Sequence, residues 1–245
     1  MEINLFEIIL IIILSIFQSI FGVGLLIFGT PILLIFEKDF FEILSILIPV
    51  SMTISFLQIF KHDMSFKIEF IKLFNFVTLP FLLITLIILV NYHHNLNINI
   101  LISILIIFFS ILNISFKKKN LKLFKTNVYK YSIFILIGII HGLTNLGGSL
   151  LSLASTQINE KKNLIRVCIA YGYFFMGFLQ LVTINLFSSV EFNFSKIYLI
   201  LIPCLVYQFS QKFYLDLSSM KFNIMLNVIT LIFGIYIFIK FIFFS

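Results

Sequence analysis

Long apolar stretches, separated by short polar breaks, follow one another along almost the whole chain. Each is long enough to cross the hydrocarbon core of a bilayer as an α-helix, which takes about 20 residues (range about 17–25). The pattern therefore predicts an all-α polytopic membrane protein with about eight hydrophobic segments. These cover residues 5–36, 43–60, 70–90, 98–116, 131–158, 167–187, 196–214 and 222–244.

The composition agrees with this class. Hydrophobic residues make up 61% of the 245 residues and charged residues only 11%, whereas a soluble domain has about half apolar and about a quarter charged residues. No polar stretch is long enough for a separate soluble domain, so a single integral membrane domain is expected. The net charge of +7 is typical of lysines in cytoplasmic loops, and no nucleic-acid partner is expected.

Two segments, 5–36 and 131–158, are longer than one span and contain glycines near their centres. As a straight helix the first would be about 48 Å long, against about 30 Å for the hydrocarbon core. This length exceeds one span and is too short for two. Each long segment is therefore predicted to be two half-helices that meet at a glycine break.

The two broken segments also resemble each other. FQSIFGVGLLIFGTPILL from Phe17 aligns with IHGLTNLGGSLLSLASTQ from Ile140, and SFLQIF from Ser55 resembles GFLQLV from Gly177 at nearly the same offset. The chain is thus predicted to consist of two related halves, 1–120 and 121–245, each with one broken segment and three ordinary transmembrane helices. The aligned pairs are Gln18 with His141, Gly22 with Asn145, Gly24 with Gly147, and Pro31 with Ala154.

The basic residues indicate how the halves are oriented. If each long segment is a re-entrant hairpin that returns to its starting side, 14 of the 17 Lys and Arg residues share one face. If all eight segments cross the membrane, at best 11 of these 17 basic residues share one face. The positive-inside rule favours the hairpins, and the two repeats are then inverted. Inverted repeats with interrupted segments are typical of transporters with a site near the midplane. The basic clusters lie at 61–72, 117–130, 161–166 and 212–221.

The breaks bring candidate substrate-binding groups into the membrane. A helix that begins there has unpaired N–H groups and a partial positive charge at its N-terminus, so it can bind an anion without a basic side chain. In the first half, either Thr30 and Pro31 begin the second half-helix, or it begins directly after Gly22 and Gly24. In the second half, Gly147 and Gly148 are predicted to turn the chain. The donors nearby are Thr144, Asn145 and Ser149.

Four longer polar side chains complete the candidate site. His141, the only histidine within an apolar segment, lies about one helical turn before Asn145 on the same face. Either it serves the site, or it is a structural histidine bonded to a neighbouring helix. Gln18 is its counterpart in the first half. Gln58 and Gln180, from the paired FLQ sequences, either line the cavity or connect helices.

The residue types that are absent from the apolar segments limit the functions expected of the protein. No Asp or Glu lies at the centre of a segment, so the carboxylate relay of many cation pumps is not expected. If protons are coupled to transport, His141 is the group available. Cys168 and Cys204 are isolated, so no metal site and no cofactor are expected. Neither a nucleophile with a base nor a metal cluster is visible, so the chain is not expected to be an enzyme.

The stretches GVGLLIFGTP (Gly22 to Pro31) and NLGGSLLSLA (Asn145 to Ala154) resemble the duplicated glycine-rich motif of the sulfite exporter TauE/SafE family of membrane permeases. That motif reads roughly G-i-G-G-G-f-l-x-v-P, once in each half. The final LDLSSMKFNIMLNVITLIFGIYIF also resembles the family's last span. The resemblance implies two related halves and transport of small, often sulfur-containing, anions. Leu25 and Leu26 stand where the first motif has glycines, and Asn145 and Ser149 do so in the second.

The leading hypothesis is therefore a secondary permease for a small anion, such as sulfite or an organosulfonate, with export favoured because an inside-negative potential drives anions out. The alternative is a non-transporting structural or assembly subunit of a membrane complex, which would leave the paired breaks without a function. The expected location is a bacterial inner membrane. The expected partners are the lipid bilayer and the anion, with a homo-oligomer left open.

Overall fold

The computed structural model describes residues 5–60, 68–92, 126–159, 162–187 and 198–216, with the single positions 100, 104, 107 and 239. The predicted segments 98–116 and 222–244 lie outside these ranges apart from those single positions. Regular structure in the described residues is helical throughout. The helices are α1 (Leu5–Phe21), α2 (Leu25–Ile35), α3 (Phe40–Phe60), α4 (Ile68–Tyr92), α5 (Asn127–Thr144), α6 (Gly148–Ile158), α7 (Lys162–Phe187) and α8 (Leu201–Asp216).

Within the described ranges, four helices are long and apolar enough to cross a membrane: α3, α4, α5 and residues 163–187 of α7. The helices also expose apolar stripes at helical spacing. On α8, for example, Leu201, Leu205 and Phe209 are each more than half exposed. Large apolar side chains on the outer surface are compatible with lipid as the solvent. The described part of the chain is all-helical, and its long apolar helices are compatible with an integral membrane protein, as the sequence predicts.

The first long segment is an antiparallel helical hairpin. The rings of Phe17 and Phe28, on either side of the break, have centroids 6.0 Å apart. At the other end, Glu7 lies 2.7 Å from Lys38. A helix of 17 residues is about 25 Å long and one of 11 residues about 16 Å, so both halves are shorter than the hydrocarbon core. The beginning and the end of this segment therefore lie on the same side of the protein.

The turn between α1 and α2 depends on two glycines. Gly22 has φ 74° and Gly24 has φ 137°, and both conformations are strained for residues with a side chain. The second half-helix begins directly after them, at Leu25. Thr30 and Pro31 lie inside α2, so the alternative in which they begin the helix is wrong.

The second long segment is also two helices, and its turn has a different basis. The left-handed residue is Asn145, with φ 64°, which ends α5 and whose N–H donates to the carbonyl of His141 at 2.9 Å. Gly147 has an ordinary helical φ of −63°. The prediction that Gly147 and Gly148 supply the backbone freedom is therefore wrong, because an asparagine tolerates the left-handed conformation.

Helix α5 runs close against α4 along two glycines. A Cβ atom on Gly138 would overlap the carbonyl of Thr78, and one on Gly142 would overlap the hydroxyl of Thr85. Thr78 donates to the carbonyl of Phe134 at 2.9 Å across the same interface. Small residues that let two helix backbones approach are a common device in membrane proteins. These glycines pack the helix and do not break it.

The central pair of helices, α3 and α7, is antiparallel. Gly177 packs on Ile48 and Met52, while Phe174, nearer the start of α7, contacts Phe56, nearer the end of α3. Around this pair, α1 packs on α8 and α5 packs on α4. Each broken segment is thus flanked by a helix from the other half of the sequence.

Candidate functional site

The second helix break contacts the second half-helix of the first long segment in the interior. Asn145, at the second break, donates its side-chain N–H to the hydroxyl of Thr30, in α2, at 3.3 Å. Both residues are fully buried. Thr144, just before Asn145, is also buried, and its hydroxyl donates to the carbonyl of Ile140 in its own helix. Polar groups from the two long segments therefore meet, although 115 positions separate Thr30 and Asn145 in the sequence.

The first break is held by amide side chains. The Gln18 side-chain N–H group donates to the carbonyl of Ser51 at 3.1 Å and to its hydroxyl at 2.9 Å, and it also reaches the hydroxyl of Ser55. The Ser51 hydroxyl donates back to Gln18 Oε1 at 3.2 Å. Gln18 thus joins α1 to α3, which is a helix-connecting role.

Three side chains converge on the last carbonyl groups of α1. Gln58 donates to the carbonyls of Gln18 and Ser19 at 2.8 and 3.1 Å. Arg166 and Gln211 donate to the same Ser19 carbonyl at 3.3 and 3.4 Å. The C-terminal end of a helix has a partial negative charge, so donors and a cation stabilise it. The end of α1 is consequently fixed to α3, α7 and α8.

Arg166 is the main difference from the sequence prediction at this break. The sequence assigns it to a basic loop at 161–166, but α7 begins at Lys162 and includes it. The side chain is 2% exposed, and it lies against Gly22. Its Nη1 also donates to Gln211 Oε1 at 3.1 Å. A buried guanidinium group therefore lies next to the first break.

The second break repeats one contact of the first and adds a histidine. The Gln180 side-chain N–H reaches the carbonyl of His141 at 3.5 Å, and its Oε1 lies 3.2 Å from His141 Nε2. In the first half, Gln58 contacts the carbonyl of Gln18, the predicted counterpart of His141. Because Gln180 presents its oxygen to Nε2, that nitrogen carries the hydrogen, and Nδ1 has the lone pair.

The glycines of the second break allow other groups to approach the backbone closely. A Cβ on Gly147 would lie 2.6 Å from the Cβ of His141 and 2.9 Å from the carbonyl oxygen of Ile137. A Cβ on Gly148 would overlap the hydroxyl group of Tyr173. Helix α6 therefore begins where two other parts of the chain approach its backbone closely. The hydroxyl of Ser149 is half-buried and donates to the carbonyl of Leu146 at 3.4 Å.

Several buried polar atoms near the breaks have no hydrogen-bond partner in the described part of the chain. At the first break this is true of Gln58 Oε1 and the Ser19 hydroxyl, and at the second break of His141 Nδ1, Asn145 Oδ1 and the Tyr173 hydroxyl. A buried polar group without a partner costs free energy, roughly 1–3 kcal/mol each. Such groups are commonly satisfied by water or a ligand.

The structure thus brings most predicted site residues to one of two places. Gln18, Gly22, Gly24 and Gln58 lie at the first break. His141, Thr144, Asn145, Gly147, Gly148, Ser149 and Gln180 lie at the second, and Thr30 connects them. Pro31 is buried inside α2. In the part of the chain that the structure describes, no three His, Cys, Asp or Glu side chains come together as a metal site would require.

Two residues were missed by the sequence reasoning, Arg166 and Tyr173. Arg166 is the single arginine beside sixteen lysines, and an arginine is preferred over lysine where a buried cation needs several fixed donors. Tyr173 lies near the middle of α7, away from the membrane interfaces where tyrosines are usually found. Both signals are present in the sequence, but neither is specific without the tertiary contacts. No family model, no curated protein and no solved structure matches this chain.

Proposed function

We propose that the chain is a secondary permease for a small anion in a cell membrane. The observation that carries the proposal is the buried contact between the second helix break and the second half-helix of the first long segment, through Asn145 and Thr30. Irregular backbone at membrane depth is tolerated where protein or a water-filled cavity satisfies its polar groups. Two such breaks, with a polar contact between their segments, provide polar groups in the interior, where a substrate passing between the two sides would need them.

Pairs of equivalent contacts support two inverted repeats as the basis of this permease. Gln58 contacts the Gln18 carbonyl, and Gln180 contacts the His141 carbonyl. Likewise α1 packs on α8, and α5 packs on α4. In each pair, the second contact is obtained from the first when each residue or helix is replaced by its counterpart in the other half. This exchange is what a pseudo-two-fold axis relating the halves would produce.

The antiparallel arrangement of α3 and α7 supports inversion over eight plain crossings. If all eight segments crossed in alternation, the second and the sixth would run in the same direction. If the second broken segment instead returns to its starting side, α7 runs opposite to α3. Phe56 contacting Phe174 while Met52 packs on Gly177 corresponds to the second case.

Charge supports an anion as the substrate. Among the described residues, the buried charged side chains are Glu7 and Arg166. Glu7 pairs with Lys38, far from either break. The guanidinium group of Arg166 lies beside the first break, and helix N-termini with partial positive charge lie at both. These donors are the groups near the breaks that would bind a negatively charged substrate.

The substrate class and direction follow from the sequence. The glycine-rich stretches resemble those of sulfite exporter permeases, so sulfite and organosulfonates are the first substrates to test. Export is favoured because an inside-negative potential contributes about 2.3 kcal/mol per charge per 100 mV. A bacterial inner membrane is the proposed location.

A flux measurement tests this proposal. The purified protein is reconstituted in proteoliposomes, and the efflux of sulfite, methanesulfonate, sulfate, nitrate and chloride is measured under an imposed potential. We expect saturable efflux of at least one oxyanion above that of protein-free liposomes. Absence of flux for all five, together with copurification of a stoichiometric partner, would instead favour an assembly subunit.

A labelling experiment tests the inverted hairpins separately. In a background without Cys168 and Cys204, a single cysteine replaces Lys161, and a membrane-impermeant thiol reagent is applied from each side. The inverted hairpins require Lys161→Cys to react from the same side as a cysteine in the lysine-rich stretch 117–125. Reaction from the opposite side would contradict them.

A further inference from the structure

We infer that the hydroxyl group of Tyr173 and the first backbone N–H groups of α6 together bind the transported oxyanion. This inference rests on the proposed function and specifies the site that would hold the substrate. The residues involved are Tyr173, on α7, and Gly148, Ser149 and Leu150, on the first turn of α6.

The first turn of α6 has donors that the helix itself cannot satisfy. Its first intrahelical bond runs from the N–H of Leu151 to the carbonyl of Gly147 at 2.9 Å. The N–H groups of the three preceding residues therefore point beyond the helix end. No side chain caps them, because the N-cap position is occupied by Gly147. Gly147, Gly148 and Leu150 are buried.

The Tyr173 hydroxyl reaches this helix end because residue 148 is a glycine. Any Cβ at this position would overlap the hydroxyl and the ring carbon that bears it. Tyr173 is 1% exposed, yet its hydroxyl has no hydrogen-bond partner among the residues that the structure describes. A tyrosine hydroxyl usually finds a partner when it is buried. A partner supplied by a ligand would account for this donor at the helix end.

Other polar groups adjoin the same place. The ring of His141 lies edge-on to that of Tyr173, with centroids 6.0 Å apart. His141 Nδ1 and Asn145 Oδ1 are both buried and without protein partners. Backbone N–H groups and a tyrosine hydroxyl are donors, whereas these two atoms are acceptors in the neutral forms.

This combination defines the ligand class. Negative oxygen atoms would accept from the backbone and from Tyr173, with no cation needed. A small oxyanion that still carries an O–H group could in addition donate to one of the acceptors. The site therefore fits a compact, singly charged oxyanion better than a bare halide, which has no hydrogen to donate.

The first break lacks this arrangement. Leu25 begins α2 at the position equivalent to Gly148, and both Leu25 and Leu26 are fully buried. Ser51, at the position that corresponds to Tyr173, is bonded to Gln18. Helix α2 thus begins with two buried leucines where α6 begins with glycine and serine, and the hydroxyl at the position of Tyr173 already has a partner. The two breaks differ in the features that the inference requires.

The central test is Tyr173→Phe, which removes only the hydroxyl group. Its matched control is Tyr171→Phe, on the same helix, where the hydroxyl donates to Asn75, on α4, at 3.1 Å. The oxyanion that gives the highest flux with the unmodified protein is used as the probe. Both variants are assayed for the KM of flux and for the anion-dependent rise in unfolding temperature in detergent.

We expect Tyr173→Phe to raise KM at least tenfold and to lose most of the anion-dependent stabilisation, since a hydrogen bond to a charged group accounts for roughly ten- to hundredfold in affinity. Tyr171→Phe should remain within about twofold of the unmodified protein. Without anion, Tyr173→Phe should unfold at the same temperature as the unmodified protein or a higher one, because the hydroxyl it loses has no protein partner.

Two results would overturn the inference. The first is an unchanged KM and an unchanged anion-dependent stabilisation in Tyr173→Phe, in the presence of normal flux by the unmodified protein. The second is a lowered unfolding temperature of Tyr173→Phe without anion, accompanied by an unchanged KM, since the hydroxyl would then serve only the fold. Absence of flux and of stabilisation by any of the five anions in the unmodified protein would overturn the proposed function itself.

Discussion

The two helix breaks have a similar backbone arrangement but differ in the side chains that surround them. At the first, Gln58, Arg166 and Gln211 all donate to the end of α1. At the second, Gln180 makes the equivalent contact with His141, while Tyr173 and Asn145 keep buried polar atoms without partners.

The difference shows how a broken helix can serve either to anchor the fold or to bind a ligand. A broken helix needs something to hold its ends, and the first break has donors from three neighbouring helices. The second break instead has a glycine at the start of its second half-helix, with the buried hydroxyl of Tyr173 lying against it. We therefore interpret the first break as the fixed partner and the second as the binding partner. The following substitutions test that interpretation, from the largest expected effect to the smallest.

Replacing Arg166 should have the largest effect on transport. Arg166→Met removes the buried guanidinium group beside Gly22. Arg166 lies about 10 Å along α7 from Tyr173, and a unit charge at that distance contributes about 1.7 kcal/mol at an effective dielectric constant of about 20, or roughly fifteenfold in rate. We expect flux in proteoliposomes to fall at least tenfold, and Arg166→Lys to retain more flux than Arg166→Met. Flux within twofold of the unmodified protein would mean that Arg166 serves only the end of α1.

Replacing Gln58 should mainly lower the stability of the protein, whereas replacing Gln180 should mainly weaken substrate binding. Gln58→Leu removes two donors from the end of α1 and should cost roughly 1–3 kcal/mol of stability, with little change in KM. Gln180→Leu leaves His141 Nε2 without its partner at the second break and should raise KM severalfold.

Unfolding can be followed for both glutamine variants through a native cysteine. Cys168 is buried and Cys204 is exposed, so in a Cys204→Ser background a thiol-reactive dye reports the exposure of Cys168 on heating. Equal changes in KM for Gln58→Leu and Gln180→Leu would remove the distinction between the two breaks.

Asn145 combines a backbone and a side-chain role, which two substitutions can divide. Asn145→Ala must adopt φ 64°, and an alanine there costs roughly 1–2 kcal/mol. Asn145→Gly has no such strain, but it also loses the bond to Thr30, worth roughly 0.5–1.5 kcal/mol. We expect the unfolding temperature to fall in the order unmodified protein, Asn145→Gly, Asn145→Ala. Equal stability of the two variants would show that the conformation of residue 145 is unimportant.

The smallest effect is expected from making the first break more like the second. Gly22→Asn introduces the residue found at the equivalent position, and asparagine tolerates φ 74° better than most residues. Its Cβ would lie 3.2 Å from Arg166 Cγ, so the arginine must shift by only a few tenths of an ångström. We expect a loss of less than about 1 kcal/mol by the same dye assay, and a larger loss for Gly22→Leu.

Much of the architecture follows from the sequence because its causes are local. Apolar length predicts the spans, and paired glycines in two similar stretches predict the two breaks near Gly22 and Gly147. The sequence also indicates that Gln18 and His141 occupy related positions. It does not resolve whether Thr30 or Leu25 begins α2, since both satisfy local rules, and packing against α3 is not visible along the chain.

The remaining features depend on tertiary structure because they join residues far apart in sequence. Apolar periodicity and glycine content by themselves determined the class of protein and the location of the breaks, since both are properties of neighbouring residues. Only the folded chain placed Arg166 against Gly22, Tyr173 over Gly148, and Asn145 on Thr30. Burial and hydrogen bonding depend on which helices meet. That decided that donors from three neighbouring helices hold the end of α1, and that a tyrosine hydroxyl lies over the start of α6.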